Sequence, residues 1–470
     1  MGTKEVDMLN PQIFREYDIR GIADEDLTDD VVERIGRAFG TYVRRRGGRR
    51  LAVGRDVRLS SPRIRKALVE GLLNAGCDVV DVGQVPTPVL YFSIVHLGTD
   101  GGVMVTGSHN PIEYNGLKLC YPGTGAVYGG GIQELRRSVE EGDFEEGEGR
   151  LEEREVVDAY ISTITSRIEL RRPLKVVVDA GNGTTSEIGP RLLRELGAEV
   201  VPLYCEVDGS FPNHLPDPTI PEYLEDLRRE VLRTGADLGI GWDGDGDRIG
   251  VLDEGGEIIW GDRLLAIYAK DVLERLPGST IVFDVKCSQA LVEYIEAHGG
   301  RPLMWKTGHS LIKAKMKEEG APLAGEMSGH MFFSDGYFGY DDALYASARL
   351  LGILSRTPKK LSEVASEVPK YHSTPEIRVD CPDDEKFEVV RKVADRFRGK
   401  FPVVETDGVR VQFGDGWGLV RASNTQPVLV LRFEARTPKR LKEIAEEVVS
   451  VLEDYPSVSG LEEVLRRAGG

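Results

Sequence analysis

One unit of strand, helix and strand recurs three times in this chain, and it constrains the fold more than any other feature of the sequence. The copies begin with the apolar segments LAVGRD at 51–56, VVVD at 176–179 and IVFD at 281–284, and each segment ends in aspartate. Apolar residues at helical spacing follow, then a helix-ending glycine and a second apolar run. Because such units form parallel strands covered by helices, we predict an α/β fold with three similar βαβ-based domains.

A further strand-like run follows each copy and ends in a loop of unusual composition. The three loops read TGSHNP at 106–111, DGDGDR at 243–248 and GEMSGH at 325–330. Loops at the strand ends of α/β sheets are the usual place where ligands bind. We therefore predict three mixed sheets whose loops line one central cleft.

The C-terminal part of the chain departs from this pattern. Residues 383–397 have helical spacing with Phe387 on the apolar face, and VRVQFGDGWGLVR reads as a β-hairpin. Thr437 and Pro438 are typical of the first positions of a helix. These features predict an α+β module as a fourth domain. The predicted domains span residues 1–153, 154–254, 255–367 and 368–470.

Charge and cysteine content narrow the class of protein. The net charge is −18, from 60 basic and 78 acidic residues, which argues against a protein that coats nucleic acid or an anionic membrane. The five cysteines include no CxxC pair, which indicates a reducing compartment. We find no apolar stretch of about 18 residues and no secretory signal, so we expect a cytoplasmic protein. A monomer and a homodimer both remain open.

The loop DGDGDR contains Asp243, Asp245 and Asp247. In an extended segment, alternate side chains point to one face. Three neighbouring carboxylates repel one another unless a cation lies among them, and oxygen ligands favour Mg²⁺, Ca²⁺ or Mn²⁺. A solvated acidic turn is the simpler alternative, whereas an EF-hand is rejected because Arg248 stands where that loop needs glycine. We predict a metal site, and we expect the two intervening glycines to leave room for a phosphate oxygen.

The loop TGSHNP places Ser108 between glycine and proline, where we expect its side chain to be exposed. His109 is adjacent, but adjacent residues rarely reach the geometry of a catalytic triad, so a serine hydrolase is disfavoured. A capped turn is an equally good interpretation of this loop alone. Beside a metal-binding loop, however, Ser108 becomes a candidate phosphoryl carrier, because one divalent cation can bridge a phosphoserine and the three aspartates.

Two further loops offer polar groups for a phosphorylated sugar. Glu326 and Ser328 of GEMSGH suit vicinal hydroxyls, and His330 can transfer a proton near neutral pH. RASNT at 421–425 combines an arginine with small hydroxyl and amide residues, which suits an oxyanion. Ordinary turns are comparably good interpretations of both loops. Other candidate groups lie in FREYDIRG, NGLKL, DVKCS and KTGHS, and they are Arg20, Lys118, Lys286 and His309.

Together, TGSHNP, DGDGDR, GEMSGH and RASNT in this order resemble the motifs of the α-D-phosphohexomutase superfamily, in its phosphomannomutase/phosphoglucomutase branch. The resemblance runs from residue 14 to residue 425 and implies four domains, three of them alike. It also implies a phosphoserine at Ser108 and Mg²⁺, one per chain, held by Asp243, Asp245, Asp247 and Ser108. The residues implied in proton transfer or phosphate contact are Arg20, Lys118 and His330. The residues implied or considered as substrate-binding are Tyr17, His109, Arg248, Lys286, His309, Glu326, Ser328, Arg421, Ser423, Asn424 and Thr425.

The implied reaction interconverts hexose 1-phosphate and hexose 6-phosphate through a hexose 1,6-bisphosphate. Met327 in GEMSGH is more similar to the mannose/glucose branch than to the glucosamine branch, although a phosphoglucosamine mutase stays open. A Mg²⁺-dependent sugar-phosphate phosphatase and a non-catalytic phosphosugar-binding protein also stay open. The resemblance implies phosphorylated hexoses as partners, and a closing fourth domain would keep water from the phosphoserine.

Overall fold

The computed structural model describes residues 9–423 and 426–469, which form four β-sheets covered by helices. The first three sheets follow the three sequence repeats, and the fourth belongs to the C-terminal module. The predicted class, three similar α/β units followed by an α+β module, is confirmed. Within the described ranges, no helix has the length and apolar character needed to cross a lipid bilayer.

The first sheet follows a 3₁₀ turn at Pro11–Ile13. Its strands are β1 (Ile19–Ile22), β2 (Arg50–Arg55), β3 (Asp78–Gln84), β4 (Gly101–Val105), β5 (Tyr114–Cys120) and β6 (Leu151–Glu153). Its helices are α1 (Asp29–Arg44), α2 (Ser61–Asn74), α3 (Thr87–Leu97) and α4 (Gly130–Glu141). The strand order is β1-β5-β4-β2-β3-β6.

The second and third sheets have five and four strands. The second unit contains α5 (Val157–Thr165), β7 (Lys175–Asp179), α6 (Ile188–Glu195), β8 (Glu199–Leu203), a 3₁₀ turn (Pro221–Leu224), α7 (Glu225–Thr234), β9 (Leu238–Trp242), β10 (Ile249–Asp253) and β11 (Ile258–Ile259). The third contains α8 (Gly261–Arg275), β12 (Thr280–Asp284), α9 (Gln289–Ala297), β13 (Arg301–Trp305), α10 (His309–Glu319), β14 (Leu323–Gly325), β15 (Met331–Phe333), α11 (Ala343–Ser355) and α12 (Leu361–Ala365).

One arrangement of four strands is common to these three sheets. The order β5-β4-β2-β3 in the first sheet recurs as β10-β9-β7-β8 in the second and as β15-β14-β12-β13 in the third. In each case the repeat strands pair in parallel, and the outermost strand returns antiparallel. The loops that connect β4 to β5, β9 to β10 and β14 to β15 therefore occupy equivalent positions, and they carry the three motifs.

Glycine ends the helix of each repeat, as predicted. Gly76, Gly197 and Gly299 follow α2, α6 and α9 with φ values of +80°, +97° and +75°. A side chain strains the backbone in this left-handed region, whereas glycine adopts it readily. The chain can therefore reverse within a few residues and return to the sheet as a parallel strand.

A continuous apolar core joins the first three units. It includes Tyr91 on α3, Tyr160 on α5, Trp242 at the end of β9 and Tyr268 on α8. The Trp242 indole donates to the hydroxyl of Ser347 at 3.0 Å, so its polar atom is satisfied inside the core. This shared core holds the three motif loops in fixed relative positions.

The C-terminal module combines helices with one sheet, as expected for an α+β module. Its strands are β16 (His372–Ser373), β17 (Ile377–Asp380), β18 (Val403–Val404), β19 (Val409–Gln412), β20 (Gly416–Ala422) and β21 (Val428–Ala435). Its helices are α13 (Lys386–Phe397), α14 (Pro438–Leu452) and α15 (Leu461–Ala468). The β19–β20 hairpin and the Thr437 cap, which accepts from the Arg440 N–H at 3.2 Å, are confirmed. The predicted apolar face of α13 was wrong at Phe387, which is 59% exposed, because Val389 and Val393 face the core instead.

Buried polar groups attach this module to the third unit. Arg410 donates to the carbonyls of Val285 and Cys287 at 2.8 and 2.7 Å, and its guanidinium lies over the Trp417 ring. Glu434 accepts from the Gln289 N–H at 2.9 Å. The module is therefore anchored to the loop that follows β12.

Candidate active site

The serine loop of the first unit and the acidic loop of the second meet directly. The Ser108 hydroxyl donates to Oδ2 of Asp243 at 2.8 Å. A Cβ on Gly244 would lie 2.5 Å from the Ser108 carbonyl oxygen, so this position admits only glycine without a backbone shift. Our expectation for this glycine is corrected: it makes room for the serine loop, because the Ser108 backbone occupies the space that we had assigned to a phosphate oxygen.

Ser108 itself is buried and has an unusual backbone conformation. Its exposed fraction is 3%, so the predicted exposure was wrong: the acidic loop of the second unit covers it. Its φ is +49°, a conformation that costs a non-glycine residue on the order of 1–3 kcal/mol. The Ser108 N–H donates to Oγ1 of Thr106 at 2.8 Å, and the His109 ring nitrogen Nδ1 lies 3.0 Å from the Ser108 hydroxyl. Backbone strain of this kind is typical of residues at functional sites.

The acidic loop is a tight turn, which corrects the extended geometry that we expected. Gly246 has φ +75°, and Oδ1 of Asp243 accepts from the backbone N–H groups of Asp247 and Arg248 at 3.0 and 3.1 Å. The turn still brings the carboxylates of Asp243, Asp245 and Asp247 together, with ligand atoms within 4.8 Å of one another. All three side chains are fully buried.

The electrostatics of this group favour a cation. Burial, and then the carboxylates of Asp245 and Asp247, raise the pKa of Asp243 well above its usual range. Lys118 supplies one positive charge: its Nζ donates to Oδ2 of Asp245 at 2.6 Å and also to Asp247. Burial alone lowers the pKa of Lys118, but these carboxylates outweigh that effect and raise it. Thr87, which the sequence analysis missed, donates its hydroxyl to Asp245 at 2.6 Å.

The three aspartates fit a divalent metal ion. Oδ1 of Asp245 and Oδ1 of Asp247 are buried and have no hydrogen-bond partner in the part of the chain that the structure describes. Unsatisfied buried carboxylate oxygens are costly unless a ligand completes them. Because the donors are oxygen atoms alone, they suit Mg²⁺ better than a softer metal.

His330 extends the site toward the third unit. Arg248 donates from Nε to Nε2 of His330 at 2.9 Å, so the neutral ring carries its proton on Nδ1. That Nδ1 lies 3.0 Å from Oδ2 of Asp341 and 3.6 Å from Oδ1 of Asp247. His309 stacks on His330 with ring centroids 5.3 Å apart, and burial lowers its pKa well below the usual range. Asp341 was missed because no recognisable motif surrounds it.

Glu326 and Ser328 lie on the loop of the third unit, beside His330. Oε1 of Glu326 accepts from the Gly308 N–H at 2.7 Å, and burial raises the pKa of this carboxyl group. Ser328 is half-buried. Lys286 is held nearby, with Nζ 3.2 Å from Glu376.

Arg421 and Ser423 belong to the fourth module. The Arg421 Nε donates to Oδ2 of Asp407 at 2.7 Å, and the same oxygen accepts from the Thr307 N–H at 3.0 Å. Tyr17 donates its hydroxyl to the Thr307 carbonyl at 3.0 Å, which brings the first unit to the same place. Ser423 is buried, and its Oγ accepts from the Gln426 N–H at 3.2 Å. The predicted residues Asn424 and Thr425 lie outside the described residues.

Arg20 joins the site on the side of the serine loop. It donates from one terminal nitrogen to Oδ1 of Asn110 at 3.0 Å and from the other to Asp18 at 2.6 Å. Asn110 is two residues after Ser108, so Arg20 contacts the same loop. Direct contacts therefore connect Ser108, the acidic loop, Lys118 and His330, and a second set of contacts brings Tyr17 and Arg421 together at Thr307 and Asp407.

Comparison with known families accounts for nearly the whole chain. Models of the phosphoglucomutase/phosphomannomutase family match four consecutive parts. They are alpha/beta/alpha domain I at residues 11–146, alpha/beta/alpha domain II at 158–256, alpha/beta/alpha domain III at 260–371 and the C-terminal domain at 376–451.

Similar proteins agree with these matches. The chain is 51% identical over 445 residues to a phosphomannomutase/phosphoglucomutase of Pseudomonas aeruginosa (strain PAO1), covering 94% of this chain and 96% of that protein. It is 45% identical over 449 residues to a phosphoglucomutase of Neisseria gonorrhoeae, covering 94% and 97%. The crystal structure of a family protein from Burkholderia thailandensis has a TM-score of 0.91 and 46% identity, covering 96% of this chain and 99% of that one.

Proposed function

This chain belongs to the phosphoglucomutase/phosphomannomutase family and is a phosphohexomutase, and we propose that it exchanges the phosphoryl group of hexose phosphates through a phosphoserine at Ser108. The observation that carries the serine assignment is the 2.8 Å contact between the Ser108 hydroxyl and Asp243. It places a nucleophilic oxygen of one domain against the buried carboxylates of another.

In the proposed first transfer, the free hydroxyl oxygen of a hexose phosphate forms a bond to the phosphorus of phosphoserine 108. The bond between Ser108 Oγ and phosphorus breaks, and the hydroxyl proton passes to a general base. His330 is the candidate for this base, and it can accept the proton on Nε2 only when Arg248 no longer donates to that nitrogen. The product is a hexose 1,6-bisphosphate. After this intermediate reverses its orientation, the other phosphoryl group returns to Ser108 by the same bond changes.

Asp243, Asp245 and Asp247 would hold Mg²⁺, and the unsatisfied oxygen atoms of Asp245 and Asp247 support this assignment. When bound, Mg²⁺ balances charge on the phosphoserine and increases the electrophilicity of its phosphorus. Lys118 and Arg20 lie on the same side of the cleft, where their charges stabilise transferring phosphoryl oxygens.

The other side of the cleft would orient the sugar. We assign Glu326 and Ser328 to the sugar hydroxyls and Arg421 and Ser423 to the phosphate that does not react. Asp407 holds Nε of Arg421, and we assign the terminal nitrogens of the same guanidinium to that phosphate. A distal anion site of this kind accepts either the 1-phosphate or the 6-phosphate, which a reversible mutase needs.

A substrate panel and intact mass spectrometry test the proposal together. The panel contains the 1-phosphates of mannose, glucose and glucosamine, each primed with its 1,6-bisphosphate. We expect 6-phosphates from the mannose and glucose substrates and a protein species heavier by about 80 Da, the mass of one phosphoryl group. Ser108→Ala should lose both, whereas Ser162→Ala, an exposed serine on α5, should retain them.

Two outcomes contradict the proposal. Full mutase activity in Ser108→Ala rules out the serine carrier. Release of inorganic phosphate in step with sugar turnover identifies a phosphatase instead, because a mutase returns the phosphoryl group to the enzyme.

A further inference from the structure

The guanidinium of Arg58 lies beneath the Ser108 loop and is almost completely enclosed. Only 1% of this residue is exposed. One terminal nitrogen donates to the carbonyls of Ser108 and Asn110 at 3.0 and 2.5 Å. The other donates to the carbonyls of Pro111 and Tyr114 at 2.6 and 3.0 Å. One side chain thus holds four backbone oxygens of the loop that carries the serine.

Asp56, the aspartate that ends the first repeat strand, completes this attachment. Its Oδ2 accepts from the Gly107 N–H at 2.9 Å and lies 3.4 Å from Nε of Arg58. Its Oδ1 accepts from the Arg58 N–H at 2.9 Å. A Cβ on Gly107 would lie 2.3 Å from Nε of Arg58, so the glycine before the serine makes room for the guanidinium. The loop sequence and Arg58 are therefore fitted to each other.

The second unit covers Arg58 from behind. The Phe211 ring centroid lies 5.3 Å from Cζ of Arg58, within the range of a cation–π contact. A Cβ on Gly209 would lie 2.1 Å from the Val57 carbonyl oxygen, which shows how closely the two backbones approach. Arg58 therefore contacts both the serine loop and the unit that supplies the acidic loop.

We propose that Arg58 is a positioning residue for phosphoryl transfer, which holds the left-handed Ser108 backbone in register with the Asp243 carboxylate. The inference rests on the proposed phosphoserine. Ser108 has a strained φ of +49°, and its carbonyl oxygen is bound by Arg58 and lies against Gly244. Without the guanidinium, the serine loop loses four donors and its backbone relaxes toward an unstrained conformation.

Relaxation of this loop changes which acceptor receives the phosphoryl group. In the productive reaction, the sugar oxygen bonds to phosphorus as the bond to Ser108 Oγ breaks. In hydrolysis, a water oxygen bonds to phosphorus as the bond between phosphorus and Ser108 Oγ breaks, one water proton ends on Ser108 Oγ, and inorganic phosphate leaves. Transfer to the sugar depends on alignment with a bound hydroxyl, whereas water attacks from several directions. If the serine loop moves, the rate of transfer to the sugar should therefore fall more than the rate of hydrolysis.

The test compares Arg58→Lys with the wild-type enzyme, full length and with Mg²⁺. Lysine keeps the charge but has no planar fork to hold four carbonyls. We expect kcat to fall about 10- to 100-fold, the effect of a misplacement near 1 Å. The KM for the hexose phosphate should change little, because Arg58 contacts none of the assigned sugar- or phosphate-binding groups. The number of turnovers before each loss of phosphoserine, followed by intact mass, should fall several-fold.

Arg44→Lys is the matched control, because the Arg44 guanidinium also donates to two backbone carbonyls of the first unit, those of Ala75 and Gly76 after α2, and not to the serine loop. It should leave the turnovers per phosphoserine loss unchanged. Phe211→Leu keeps the four carbonyl bonds and should shift that number in the same direction as Arg58→Lys, by less. If Arg58→Lys fails to fold, Phe211→Leu decides the proposal.

An unchanged number of turnovers per loss in Arg58→Lys, or in Phe211→Leu if the lysine variant does not fold, overturns the inference. An equal change in Arg44→Lys also overturns it, because the effect then reports general loss of stability. Failure of the proposed function is a separate result: the wild-type protein then gains no phosphoryl mass and Ser108→Ala retains activity.

Discussion

Lys118 of the first unit lies within the acidic group of the second, with its Nζ 2.6 Å from Oδ2 of Asp245. This ion pair is buried, and the same ammonium contacts Asp247. Two domains therefore share one charge-balanced centre. Neither domain can form this ion pair alone, because β5 of the first supplies the ammonium group and the acidic loop of the second supplies the carboxylates.

Replacement of Asp245 with Asn should weaken metal binding and turnover together. The change removes one of three carboxylates and leaves Lys118 with less negative charge around it. We expect at least a ~100-fold loss of kcat/KM at limiting Mg²⁺, since even indirect partners of a metal ligand contribute 10- to 100-fold. Titration of activity against the Mg²⁺ concentration measures this loss. Asp158→Asn, at an exposed position, is the control, and an unaltered Mg²⁺ dependence in Asp245→Asn would remove the metal assignment.

Replacement of Gly244 with Ala should separate the serine from the acidic loop. The new Cβ would meet the Ser108 carbonyl at 2.5 Å, and because this atom is backbone, the loop must move. We expect kcat to fall by about tenfold or more. Gly130→Ala is the control, because a Cβ there meets no atom within 4 Å. Wild-type kinetics in Gly244→Ala would show that the two loops do not need this contact.

Replacement of Asp407 should impair binding of the distal phosphate. Asp407 fixes Nε of Arg421 and also joins the fourth module to Thr307. For Asp407→Ala we expect KM for the hexose phosphate to rise about tenfold and kcat to change much less, since loss of a ground-state contact acts on binding. Asp407→Asn should lie between, because its amide oxygen still accepts. Asp415→Asn, in the same module, should leave KM as it is.

The repeated units and the candidate groups in the motif loops could be predicted from the sequence. The aspartate at the end of each first strand and the glycine after each helix are local signals, and local signals can be recognised in a single sequence. The proximity of Ser108 to Asp243 was also expected, because equivalent loops of similar sheets were predicted to line one cleft.

Several parts of the site could not be predicted. Thr87 contacts Asp245 of the second unit, Asp341 contacts His330 and Asp407 contacts Arg421, and no short motif marks any of the three residues. The burial of Ser108 arises from the second unit, which no property of TGSHNP reveals. The acidic loop was predicted as extended because alternate residues share a face in a strand, whereas Gly246 turns the backbone instead.

The pH dependence of stability should report an ion pair behind the acidic loop. Nε2 of His214 lies 3.0 Å from Asp179, and Pro216, two residues later, contacts Gly244. Burial acts to lower the pKa of His214, but the hydrogen bond and charge of Asp179 outweigh it and raise that pKa. A raised folded-state pKa gives stability that is fully present below the unfolded value of about 6.5 and is lost as pH rises through the folded value.

His214→Gln should therefore lower the melting temperature more near pH ~5.5 than near pH ~8.5. Asp179→Asn should remove the same pH-dependent component, since it breaks the same pair. Thermal scans of both variants and of the double variant measure the effect. Equal losses at the two pH values would exclude a charged His214 in the folded protein.

The equivalence of the three motif loops has a consequence for how such an enzyme can change. Carrying the phosphoryl group, compensating its charge and recognising the sugar are assigned to three separate copies of one sheet. The copy that we assign to the sugar also has an apolar cluster of its own, formed by Val282, Ile312, Met316, Ala321, Ala324 and Phe332. Substitutions within GEMSGH can therefore change the preference for one hexose over another. The residues of the other two copies, to which phosphoryl transfer is assigned, need not change with them.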